Sequence, residues 1–199
     1  DRRLAEAGSG ERDVRAQFLT LLEGAIGTPE TEGSIGARIA TLDATLIAAA
    51  SLPESGARLS AVADAARGLA TSLAGASDRV QGARAAADRR IATEVDIVNT
   101  SLARIADLNT TIRTYTGTGR DSSALMDQRQ QLIDRVAGLI PLREVPRELG
   151  QTALFTTGGA VLLEGKPAVL GFTAAGVIVP QMTVTAGGLS GLTLNGRPL

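Results

Sequence analysis

The sequence predicts an α+β protein: an elongated antiparallel helical bundle built on one very long helix, followed by a small β-rich domain. Three observations carry this. No proline interrupts the stretch from Glu54 to Tyr115. Apolar residues recur within it in steps of three and four (Leu59, Val62, Ala66, Leu69, Leu73, Ala76, Val80, Ala83 and Ala87), and the stripe resumes at Val98, Leu102, Ile105 and Ile112, which is the seam of a single helix about 93 Å long. Beyond Pro141 the composition changes: residues 149–199 hold three charges, Glu164, Lys166 and Arg197, against ten Gly and seven Thr. The expected division is a helical rod over 1–141 and a β-rich domain over 142–199.

Before the long helix, Val14, Phe18, Leu21 or Leu22, and Ala25 mark an amphipathic helix over 10–26, broken by GTPETEGS. A second helix is expected from Ser34, its N-cap, to about Ala50, with Ile35, Ile39, Leu42 and Leu46 on one face. Ser51 and Glu54 have capping-box spacing with Pro53 in the first turn, so the long helix is expected to start there. Thr116 to Asp121 reads as a tight reversal, and Asp121 or Ser122 caps a helix to 140 whose Leu125, Leu132, Val136 and Leu139 face back onto the long helix. Short β-rich runs then alternate with turn signals, VIVPQMTV at 177–184 among them; no closing strand is evident at the LNGRPL end.

Function classes are narrowed by what is absent. The chain has no Cys and no His, which removes thiolate and imidazole metal sites and the common nucleophilic triads. Glu30 and Glu32 sit in a polar loop with nothing to raise a carboxyl pKa, so no enzyme, cofactor or metal is expected. Twenty basic and 21 acidic residues, a net charge of −1, provide no footprint for nucleic acid or an anionic membrane. The charges at helical spacing along the rod (Asp64 with Arg67, Arg84 with Asp88, Arg90 with Glu94, Arg104 with Asp107) read as a solvated face.

Two features point to partners. Gly68, Gly75 and Gly82 recur every seven residues beside the seam, where another backbone could approach closely or where exposed glycine is merely tolerated. The neighbouring helices can cover only the two ends of the long helix. Its middle, about 73–92, therefore needs a further segment or a neighbouring subunit along Leu73, Ala76, Val80, Ala83 and Ala87.

The sequence blocks themselves show a resemblance. Pro53, Glu54, Ser55 and Arg58 in SLPESGAR, and Leu108, Asn109, Ile112, Leu125, Asp127, Gln128, Arg129, Leu132 and Val145 in the block from IADLNTTI to LREV, are similar to motifs of the FlgK family of flagellar hook-associated proteins. The likeness runs over about residues 10–170, with Gln130 where the family has an acidic residue, and without recognisable terminal polymerising helices. It implies a structural, axial component of the bacterial flagellum joining hook to filament, exported without a cleaved signal and assembled outside the cell. The implied partners are the hook protein, a second junction protein, copies of itself in the full-length assembly, and an export chaperone. This stretch by itself is expected to be a monomer. Asp127 and Arg129 are expected either to bond the loop at 116–120 or a neighbouring subunit or to lie on a solvated helix face, with a structural role inside the subunit favoured. A coiled-coil adaptor or adhesin is the competing class, poorly supplied with aromatic or charged anchors in its β part; within the leading class the alternative is a flagellin-like filament protein or another hook-associated protein.

Overall fold

The computed structural model describes residues 2–28 and 31–199, with side chains from residue 10 onward except Glu11. The order is α1 (Arg2–Ile26), α2 (Ile35–Ala50), α3 (Gly56–Gly117), α4 (Ser123–Ala137), β1 (Leu142–Pro146), a 3₁₀ turn (Glu148–Gly150), β2 (Thr152–Thr156), β3 (Val161–Glu164), β4 (Lys166–Pro167), β5 (Leu170–Gly171), β6 (Thr193–Leu194) and β7 (Arg197–Pro198). The very long helix is present and unbroken over 62 residues. By contacts the chain forms two compact units, residues 15–86 and residues 87–199 with 1–14. Helix gives way to strand between Ala137 and Leu142, inside the second of these.

In the unit of residues 15–86, Ser34 caps α2 as expected, its Oγ accepting from Ala37 N at 3.1 Å. The α2–α3 junction differs from expectation. Ser51 ends α2 rather than starting α3, and Ser55 Oγ accepts from Arg58 N at 3.4 Å at the first turn of α3. Pro53 and Glu54 lie in the turn between, because the backbone N–H groups of Leu52 and Ser55 bond back to Ala49 and Leu52. Arg58 locks the turn, donating from Nη1 to the Ala48 carbonyl at 2.7 Å and to Ser51 Oγ at 2.5 Å. The expected inner face of α2 is only half realised: Ile35 and Leu42 are half-buried and Ile39 and Leu46 are exposed. Alongside the middle of α3 lies α1, whose Gly24 carbonyl accepts from Arg79 Nη1 at 2.9 Å.

In the unit of residues 87–199, the second half of α3 and α4 cover one face of a four-stranded antiparallel sheet in the order β1-β2-β3-β4. The core comprises Val95, Val98, Leu102 and Ile105 of α3, Ile133, Val136 and Ala137 of α4, and Leu142, Leu154, Leu162, Leu163 and Leu170 from the strands. The buried stripe of α4 thus runs through Arg129, Ile133, Val136 and Ala137; Leu125 and Leu132 are half-buried and Leu139 is exposed, a rotation of the expected face. Leu162 is an extra residue between the β2–β3 pairs Leu154↔Leu163 and Phe155↔Val161, and this bulge lets two consecutive leucines enter the core.

The reversal after α3 is a Schellman motif: Arg120 N bonds Tyr115 O at 2.8 Å, Gly119 N bonds Thr116 O at 3.2 Å, and Gly119 takes φ +69°. Asp121, fully exposed, accepts from the Ser123 N–H and hydroxyl, both at 3.0 Å; first the backbone bond and then the hydroxyl bond hold its carboxyl below the ordinary carboxylate value. The C-terminal part corrects two expectations. No strand forms over 177–184, which alternates turn and bend with irregular backbone, since Pro180 interrupts any ladder. The chain does end in a paired strand, as the Asn195-Gly196 turn, with φ of 53° and 78°, folds β7 onto β6; Asn-Gly between β-rich residues is a hairpin signal that was open to reading.

Local geometry sets the expected effect of three substitutions. Leu149 and Gly150 have φ of 52° and 74°, the primed-turn conformation that Asn and Gly adopt and Leu does not. Leu149→Asn should therefore stabilise the chain by about 1 kcal/mol, whereas Gly150→Ala should destabilise it, because its β-carbon would stand 2.9 Å from Met126 Cε and 3.1 Å from Ile112 Cγ2; urea midpoints test both. Because the folded Asp121 carboxyl is depressed, its contribution is complete above the unfolded pKa near 4 and is lost as pH falls through the folded value. Asp121→Asn should show a shallower acid-side loss of stability than the parent in pH-dependent melts.

Candidate functional site

In the unit of residues 87–199, α3 uses three polar side chains, spaced about three turns apart, to hold the backbone of later segments. Asp88 Oδ2 accepts from Ala175 N at 2.7 Å, so this residue is buried rather than part of a solvated face. Asn99 Nδ2 donates to the Leu170 carbonyl at 2.9 Å while its Oδ1 accepts from Leu170 N at 2.8 Å. Asn109 does the same to Thr152, donating to its carbonyl at 2.7 Å and accepting from its N–H at 3.2 Å. A carboxamide offering one donor and one acceptor to the same residue imitates the hydrogen-bonded pair of an antiparallel ladder. Thr152 stands opposite Pro146 at a position of the β1–β2 pair that exchanges no backbone bonds, because the adjacent pair does (Arg147 N donates to the Gln151 carbonyl at 2.8 Å), so the Thr152 N–H and carbonyl face away from β1 and are met by Asn109.

Arg129 completes the cluster at Asn109. It is buried, and its Nη1 donates to Asn109 Oδ1 at 2.8 Å and to the Gly150 carbonyl at 2.6 Å. Burial pushes the guanidinium below its ordinary value and the nearby Glu144 opposes that shift; an arginine stays charged through such a change. Glu144 also accepts from Thr152 Oγ1 at 3.1 Å. Every polar group here is a structural donor or acceptor, and among the described residues no buried side-chain nitrogen or oxygen lacks a partner. The described residues also contain no cluster of three or more potential metal ligands, and none of the helices is long and apolar enough to cross a membrane.

A profile of the family described as "Flagellar hook-associated protein FlgK helical domain" matches residues 19–191. The chain belongs to this family. The flagellar hook junction protein FlgK from Burkholderia pseudomallei, a solved structure, superposes with a TM-score of 0.79 at 17% identity. The match covers 98% of this chain and 33% of that one, a likeness of fold over a third of the solved protein's length. No curated protein sequence matches.

The family motifs of this FlgK helical domain divide by role. Asn109 and Arg129, twenty residues apart in sequence, meet in one buried network, which places Arg129 on Asn109 and Gly150 rather than on the loop at 116–120. Asp127 and Gln128 are exposed and stand outside it. Pro53, Glu54 and Ser55 shape the α2–α3 turn with Arg58. Of the glycine line, Gly68 faces Arg38 Nη1, 3.3 Å from where a β-carbon would stand, while Gly75 and Gly82 meet nothing of this chain within 4 Å. Along the same seam Leu73 and Ala87 are exposed and Ala76, Val80 and Ala83 half-buried. The carboxylate pair is incompletely seen, since Glu30 lies outside the described residues and Glu32 is exposed. The double clasps of Asn99 and Asn109 and the burial of Asp88 were missed from sequence; an isolated polar residue interrupting an apolar seam was their one available signal.

Asn109→Ala would orphan both backbone groups of Thr152 and remove one acceptor of Arg129, a loss of about 2–4 kcal/mol in chemical denaturation. Asn99→Ala, at a half-buried position without a charged third member, should cost less, about 1–2 kcal/mol. Asn109→Ala and Arg129→Ala should be non-additive when combined, because they break one network.

Proposed function

We propose that this chain is the helical part of an axial structural protein at the junction between flagellar hook and filament. The observation carrying the proposal is the family match over residues 19–191, supported by the fold likeness to a hook junction protein. The architecture suits that role. One helix of 62 residues runs through both units, and side-chain clasps tie a sheet to its second half. No catalysis is proposed, since the polar groups of the buried cluster hold backbone. The proposal includes export without a cleaved signal, an extracellular place in the flagellum, and contacts with the hook protein, a second junction protein and further copies of the same chain.

The seam about Leu73, Gly75, Ala76, Val80, Gly82, Ala83 and Ala87, in which Leu73, Gly75, Gly82 and Ala87 are exposed and the others half-buried, is proposed as a place where a neighbouring axial chain approaches. Gly75 and Gly82 have open space where a β-carbon would stand, so alanine there should stabilise the isolated chain by about 1 kcal/mol each while weakening incorporation into the flagellum if a neighbour's backbone lies close. The decisive experiment is disruption of the gene in its own bacterium. Electron microscopy should show hooks without attached filaments and the cells should not swim, both restored by the parent gene. Normal filaments and normal swimming in the disrupted strain would end the junction reading.

A further inference from the structure

An edge strand presents unpaired backbone groups to which another strand can add. In the unit of residues 87–199, β1 and β4 are the edges of the four-stranded sheet, and β5 and β7 those of the three-stranded one. Pro146, Pro167 and Pro198 lie on β1, β4 and β7, whereas the interior strands β2, β3 and β6 contain no proline.

The three prolines occupy the same kind of ladder position. In each case the next residue makes the bond to the neighbouring strand: Arg147 N to the Gln151 carbonyl at 2.8 Å, Ala168 N to the Leu162 carbonyl at 2.8 Å, and Leu199 N to the Leu192 carbonyl at 3.0 Å. Backbone bonding alternates along an antiparallel pair. The prolines, opposite Thr152, Leu163 and Thr193, therefore turn their nitrogens outward. The sheets lose no bond by this, and an incoming strand meets a nitrogen that carries no hydrogen. β1 also turns Leu142 and Glu144 outward, a run that Pro146 cuts to two positions. On β5 the outward position is Leu170, since Asn195 N bonds the Val169 carbonyl at 2.8 Å and Leu170 stands opposite Leu194. Asn99 occupies both of its backbone groups, at 2.8 and 2.9 Å.

A cation adjoins each proline. Of the three charges in residues 149–199, Lys166 and Arg197 immediately precede Pro167 and Pro198. Arg147, paired with Glu164, immediately follows Pro146. All three cations are exposed, and like charges oppose the pairing of an edge with its own copy.

We infer that proline with an adjoining cation on β1, β4 and β7, and the Asn99 clasp on β5, bar both sheets to strand addition. Copies of this chain can then lie against one another at high concentration without joining sheet to sheet. Tolerance of proline at an edge accounts for each proline singly. It does not account for the fourth edge, where no proline stands and a helix side chain takes the outward groups instead. The inference is independent of the junction reading, because it concerns the purified chain and holds or fails whatever happens to filaments in cells.

The test replaces Pro146→Val, Pro167→Val and Pro198→Val together in the 199-residue chain, restoring three N–H groups with a residue that favours strands. Sedimentation velocity and the amide I infrared band are followed against concentration, with helix content checked by circular dichroism. The parent should show no intermolecular β signal. The triple variant should show one, with self-association at least about tenfold tighter than the parent's. Pro53→Val, in the turn between α2 and α3, controls for loss of a proline outside the sheets and should behave as the parent does. Should the triple variant lose helix, two single variants carry the test: Pro198→Val, at an exposed position in the last strand, and Asn99→Ala, which reopens β5 without altering a proline. Intermolecular β signal in the parent overturns the inference. So does a folded triple variant, or folded Pro198→Val and Asn99→Ala variants, associating no more than the parent, and so does equal association by Pro53→Val.

Discussion

The double hydrogen bond from Asn109 to Thr152 is the constraint on which the arrangement of residues 87–199 turns. A helix buries all of its backbone polar groups in its own ladder, so it ordinarily meets a sheet through apolar side chains alone, which set distance but leave register loose. Asn109 adds a directional bond at one defined residue. Since the Thr152 N–H and carbonyl face away from β1, both would otherwise go unanswered in a buried setting, and the helix supplies their partner. Arg129 then ties α4 and the Gly150 turn to the same carboxamide. One side chain thereby sets α3, α4 and the β1–β2 hairpin relative to one another.

The cluster resembles an active site in being buried and polar, but its chemistry is that of a joint. Arginine, asparagine and backbone amides do not change protonation state near neutral pH, and here they bond to one another. Asn99 repeats the clasp at Leu170 and Asp88 repeats its acceptor half at Ala175. Such joints resist sliding of sheet over helix, which suits a family of flagellar structural proteins better than turnover does.

The two units contrast in how they are stabilised. Residues 87–199 have a closed core of twelve hydrophobic residues and directional clasps; residues 15–86 hold together through turn chemistry, with the large apolar side chains of α2 and the start of α3 left partly open. The same heptad seam runs through both. It is buried where a sheet and α4 lie on it and only partly covered where α2, 16 residues long and rich in alanine, faces it.

Much was legible in the order of residues. Proline-free apolar periodicity determined the long helix, Ser34 its neighbour's cap, and the motif residues around Asn109 and Arg129 the family, because helical period, caps and motifs are local properties. What lay beyond sequence was which polar residues point inward. Asp88, Asn99 and Asn109 show in sequence at most as polar breaks in an apolar seam, which does not say that they are buried, and Ser51, which has cap spacing, ends α2 instead once the turn around Pro53 forms. Burial and pairing are decided by segments distant in sequence, forty-three residues apart for Asn109 and Thr152 and eighty-seven for Asp88 and Ala175. No local pattern encodes contacts of that range, so only the tertiary structure could turn three ordinary helix positions into the joints of the fold.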